Sequence, residues 1–132
     1  MQHPTLAQWH QFAKTQDAKT LSGILADDVV FHSPVVWTPQ VGKPITMAYL
    51  TAATHVFYNG DDEFQYLREI VTERNIVLEF RVTLEGITIN GIDMMELDEE
   101  GKIKEFKVLV RPLQAVNKLH EKMKAMLAQM GK

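Results

Sequence analysis

The sequence predicts an α+β fold, in which a curled antiparallel sheet is preceded by helices and followed by one more. Two patterns carry this expectation. From residue 64 to 111 apolar and polar side chains alternate with period two, whereas the stretches before residue 60 and after Pro112 repeat at helical spacing. A length of 132 residues with 45% apolar composition adds the third observation, since it fits one domain around one core.

In chain order, "PTLAQWHQFAKT" places Leu6, Trp9, His10 and Ala13 on one helical side behind Thr5 as a candidate N-cap. "DAKTLSGILA" follows as a second short helix, with Asp17 as cap and Leu21, Ile24 and Leu25 on one side. The β-branched run in "DDVVFHSPVVWTPQVGKP" predicts a strand over 29–33, and Pro34, Pro39 and Pro44 then predict a loop. "ITMAYLTAATHVFYN" spaces Met47, Leu50, Ala53, Thr54 and Phe57 as a third helix ending near "NGDD".

Four extended segments come next, "EFQYLREIVTER", "NIVLEFRVTLE", "ITINGIDMMEL" and "KIKEFKVLVR", separated by "RN", "EG" and "DEEG". The last two are hairpin signals, so the segments predict a meander. Ile76, Leu78, Phe80, Val82 and Leu84 share one face of the second segment, and Glu79, Arg81 and Thr83 share the other. One face is therefore expected in the core and the other against water or a second subunit. After Pro112, suited to a first helical position, "LQAVNKLHEKMKAMLAQM" predicts an amphipathic helix with Leu113, Val116, His120, Met123 and Leu127 as its stripe.

Composition excludes several classes of function. A net charge of −3 offers no basic field for nucleic acid. The absence of cysteine removes disulfides, thiolate nucleophiles and Cys-ligated zinc, and no histidine pair has HxH or HxxxH spacing. No cofactor or metal is expected. The first residues lack the basic-then-apolar pattern of a leader, and no apolar run approaches the roughly 20 residues of a membrane span. The expectation is a cytoplasmic protein with no membrane or nucleic-acid partner.

Asp93 interrupts this pattern, because period two places it with Ile87, Ile89, Gly91 and Met95 on an apolar face. If that face is concave, the carboxyl enters an apolar cavity, where burial raises its pKa and leaves a neutral proton donor. The alternatives are a structural partner, such as a backbone amide or Trp9, or a wet place at the rim. Ser33 is the candidate polar group on the first strand, with His32 facing out. Trp9, Phe12, Phe31, Trp37, Tyr49, Phe80, Met95 and Phe106 are the aromatic and sulfur side chains expected to shape the interior and meet a ligand.

"GILADDVVFHSPVV", "VGKPITMAYL" and "GIDMMELDEEGKIKEFKVLVRP", in this order, resemble the nuclear transport factor 2-like superfamily, which includes ketosteroid isomerase, scytalone dehydratase and the SnoaL-like polyketide cyclases. The resemblance implies a conical pocket around the third helix, with the last helix as an extension. It also implies cofactor-independent proton transfer, cyclisation, dehydration or plain binding of a small apolar organic ligand, and a homodimer through the outer sheet face. Asp93 stands at the position of the isomerase's buried proton-donating acid. Ser33 stands where the isomerase has its basic Asp, and Trp9 falls on its catalytic Tyr. Steroid isomerisation is accordingly not expected, and a binding or interaction domain of the same fold is the alternative function.

Overall fold

Proline and capping chemistry set the first boundaries. The computed structural model describes residues 3–58 and 63–130. Helix α1 (Pro4–Thr15) has Pro4 in its first turn and His3 at the cap, so Thr5 is not the cap. The Thr5 hydroxyl instead donates to the Gly101 carbonyl at 2.6 Å and ties α1 to a distant turn. Helix α2 (Ala18–Ile24) is capped by Asp17, whose carboxylate accepts the Lys19 N–H at 3.0 Å.

Strand β1 (Leu25–His32) begins earlier than the β-branched run implied. Leu25 and Ala26, assigned to the second helix on sequence, are strand residues, and Ser33 lies just past the strand's end. Pairing with strand β6 explains the early start, because Leu25 already sits opposite Ile103. The proline-rich loop returns as a two-residue strand, β2 (Gln40–Val41), which the sequence reading treated as loop. Helix α3 (Lys43–Tyr58) follows; the "NGDD" at its expected end lies outside the described residues.

The meander forms as its periodicity predicts: β3 (Gln65–Val71), β4 (Asn75–Leu84), β5 (Ile87–Leu97) and β6 (Ile103–Arg111), each antiparallel to the next. Strand β1 adds in parallel to β6 and β2 lies outside it, giving a six-stranded mixed sheet in the order β2-β1-β6-β5-β4-β3. Helix α4 (Leu113–Met130) closes the chain, with the Pro112 carbonyl accepting from Ala115 and Val116, so Pro112 precedes the helix.

The inward face of the sheet packs on α1, α2, α3 and α4 in two buried clusters. One gathers Trp9, Phe12, Leu21, Ile24, Leu50 and Met95; the other gathers Phe57, Phe80, Val82, Ile89, Ala115, Leu119 and Met123. Gly91 is required between them. A Cβ there would lie 2.5 Å from the Phe80 ring and 2.7 Å from the Leu109 carbonyl oxygen, so only glycine lets Phe80 lie across β5. Among the described residues no helix is long and apolar enough to cross a membrane.

Candidate functional site

Strand β5 turns Ile89, Gly91, Asp93, Met95 and Leu97 inward, and Asp93 retains 7% of its exposure. The register explains its neighbours, since Asp93 pairs with Leu78 on β4 and Val108 on β6, both inward-facing and apolar. Among the described residues no cation compensates it. Burial pushes the carboxyl from its usual 3.8 up to about 7, and a hydrogen bond with the Tyr66 hydroxyl opposes that rise without cancelling it.

Tyr66 was not anticipated as a site residue. It lies opposite Phe80, and a register shift follows between Tyr66 and Arg68. Its oxygen accepts the Trp9 indole N–H at 3.0 Å, which leaves its own proton for Asp93. Burial first, and the Asp93 charge next, hold this phenol well above its usual range, so it remains a donor at neutral pH. Tyr58, at the end of α3, is raised by the same two causes in the same order. Trp9, Tyr66 and Asp93 thus form one directed chain of hydrogen bonds that ends on a carboxyl group.

This chain borders a cavity of about 270 Å³. Trp9, Phe31, Tyr49 and Phe106 stand on its wall, as do Ser33 and Asp93. Phe12, Phe80 and Met95, also expected to meet a ligand, are fully buried in the core and do not line the cavity. Phe80 acts one layer behind, stacked on Phe64 with ring centroids 5.3 Å apart, and Phe64 in turn meets Tyr66 edge-on at 4.9 Å. Trp37, also expected to meet a ligand, is 97% exposed on the proline-rich loop and does not line the cavity, which Pro34, Val35 and Val36 of that loop reach instead.

The rim consists of wall residues that are also exposed: Val36 on the loop after β1, Tyr58 on α3, and His120 and Lys124 on α4. The Ser33 hydroxyl accepts the Val35 N–H at 3.1 Å, so its oxygen is engaged in shaping this loop. His32 points out and meets Glu105 at 3.2 Å. His10 is 2.7 Å from Glu69. Among the described residues no cluster of three metal-ligating side chains occurs.

Asp93 is the single acidic residue among the described wall residues. A carboxyl with a pKa near neutrality is present in both forms at pH 7, so it can donate a proton and later accept one. Its proton, with the Tyr66 hydroxyl hydrogen-bonded behind it, is a donor where water is scarce, and there it acts most strongly on an oxygen gaining negative charge.

A SnoaL-like domain model matches residues 6–106. Among solved structures, a steroid delta-isomerase from Pseudomonas aeruginosa is 35% identical with a TM-score of 0.88, over 96% of this chain and 91% of that one. A protein conserved in bacteria with a cystatin-like fold, from Silicibacter pomeroyi, is 30% identical with a TM-score of 0.84, over 93% and 84%. A nuclear transport factor 2-like protein of unknown function from Cytophaga hutchinsonii, 14% identical with a TM-score of 0.61 over 82% and 88%, shares the fold. No curated protein matches.

Proposed function

The chain belongs to the SnoaL-like domain family, and on that premise we propose that its cone binds a compact, largely apolar organic molecule and that Asp93 exchanges a proton with it. One observation carries this reading: a desolvated carboxyl, hydrogen-bonded to a buried phenol, at the wall of an otherwise apolar cavity. Sites of this kind recur where a proton must move at neutral pH. The reaction class is a cofactor-independent isomerisation, cyclisation or dehydration. Asp93 gives its proton to the ligand's oxygen, and the carboxylate so formed recovers one from the adjacent carbon, so the protein gains and loses none.

The similarity to a steroid delta-isomerase does not extend the proposal to steroids. That chemistry is expected to draw on a second carboxylate, and Ser33 stands in its place. Non-catalytic binding is the second reading, favoured by the absence of a second carboxylate on the described wall. A cytoplasmic setting and a second copy on the outer sheet face complete the proposal.

NMR separates the two readings. With the Asp93 carboxyl carbon labelled, a compact enone such as cyclohexenone should displace its titration, and in heavy water the wild type should exchange deuterium next to the carbonyl while Asp93→Asn does not. Displacement without exchange supports binding alone. A carboxyl that titrates in the ordinary acidic range and ignores every ligand overturns both readings.

A further inference from the structure

We infer that the cavity selects a ligand with two unlike ends: a neutral oxygen acceptor that reaches Asp93, and an anionic group, a carboxylate or its like, held at the rim by Lys124 and His120. The inference rests on the proposed small-molecule site and adds the ligand's class to it.

Helix α4 has two polar faces with different partners. Lys118 and Lys122 turn to the β4–β5 hairpin and both bind Glu85, Lys118 at 3.0 Å; Lys118 also meets Glu121 at 3.1 Å. Their charges are compensated. Lys124 and His120 lie four residues apart, one helical turn, so their side chains project from the same face. Both are exposed and both stand on the cavity wall. Among the described residues neither has an ion pair or side-chain hydrogen bond, and the one acid of the described wall, Asp93, is buried. Among the described residues the rim therefore carries a cation and an imidazole with no anion to answer them, above a wall that is otherwise almost wholly apolar. A neutral apolar ligand would leave this donor pair facing water, whereas a carboxylate would receive charge-assisted bonds from it while its apolar body fills the cone. Helix α4 also lies beyond the residues matched by the family model, so the basic part of the rim lies outside the matched span, while Val36 and Tyr58 lie within it.

Calorimetry on matched pairs of keto acid and keto ester tests the inference: 4-acetylbenzoate, 4-oxocyclohexanecarboxylate and 4-oxo-4-phenylbutanoate, each against its methyl ester, with the Asp93 carboxyl resonance followed in parallel. A hydrogen-bonded charge at the rim should make the acid of at least one pair bind about tenfold more tightly than its ester at low salt. That ratio should fall as salt rises. Lys124→Gln should reduce it to within twofold, and Lys122→Gln, on the Glu85 side, should leave it intact. Acid and ester that bind alike in wild type, while both move the Asp93 resonance, overturn the rim and leave the cavity reading standing. Acids that bind more tightly without moving that resonance overturn the two-ended ligand and count against Asp93 as the inner contact. If no member of any pair binds, both the inference and the small-molecule reading fall.

Discussion

At the scale of single residues, Asp93 sets the pH behaviour of the fold. Its pKa is about 7 in the folded chain and near 3.8 once exposed, so the folded state holds the proton more tightly. Between those two values the unfolded chain carries fewer bound protons than the folded one, and stability must fall as pH rises. At about 1.4 kcal/mol per pH unit, the ionised carboxyl costs at most on the order of 4 kcal/mol above pH 7. Urea unfolding from pH 4 to 8 should therefore show wild type losing stability across this range, and Asp93→Asn should flatten the profile and be the more stable chain at pH 8. A wild-type profile that rises instead would mean an ionised, compensated Asp93. Gly91 offers a second check. In Gly91→Ala the added methyl meets a backbone oxygen that cannot move aside, so a loss of about 1–3 kcal/mol is expected in the same assay. The inward position of Asp93 was legible because period two alone places it. Tyr66 was not legible, since "EFQYLREIV" has no clean apolar face and its orientation follows only from the register that sets it opposite Phe80.

At the scale of elements, the four meander strands and the existence of every helix were legible, but the phase of α4 was not. The expected stripe ran through Leu113, Val116, His120, Met123 and Leu127; Met123 is buried and Leu127 packs against the core, yet Leu113 is 74% exposed and the buried line runs on from Met123 through Leu119 and Ala115. Both stripes satisfy helical spacing. Where the helix lands decides between them: Ala115 and Leu119 pack with Met123 in the core, and this phase sets Lys118 and Lys122 against Glu85. The same phase carries His120, expected on the apolar stripe, to the rim together with Lys124. Leu119 consequently closes the cavity as well as packing the core. Truncating it should cost about 2 kcal/mol, the lower end for Leu→Ala, because one side of this leucine already faces empty space. Leu119→Ala should also admit bulkier ketones than wild type. Denaturation midpoints and a size series of ligands measure the two effects, and a chain that loses stability yet takes no larger ligand would place Leu119 in the core alone.

At the scale of the whole molecule, the sheet's outer face is the surface the fold leaves uncovered. The register sets Ile70 beside Val77, Val77 beside Met94, and Ile92 beside Leu109, so these side chains form one patch across four strands. Ile70 is 53% exposed, Met94 39% and Leu109 45%. A patch of this kind, rimmed by charge, is what an interaction surface requires. Its border carries both signs: Arg68 pairs with Glu79 at 3.7 Å and Lys104 with Glu96 at 3.3 Å. A rim of mixed charge around an apolar centre is self-complementary under a two-fold axis, because each basic group can meet an acidic group of the other copy. A second copy of this chain is therefore the proposed occupant, and a central residue of the patch would meet its own counterpart across the axis. Met94→Lys would then bring two like charges together in the middle of an apolar interface. Sedimentation equilibrium should give twice the 15.1 kDa chain mass for wild type and the single mass for Met94→Lys. The Asp93 titration should survive in the variant, since Met94 and Asp93 project from opposite faces of β5. A wild type that sediments as a monomer at its highest soluble concentration would leave the patch without this partner.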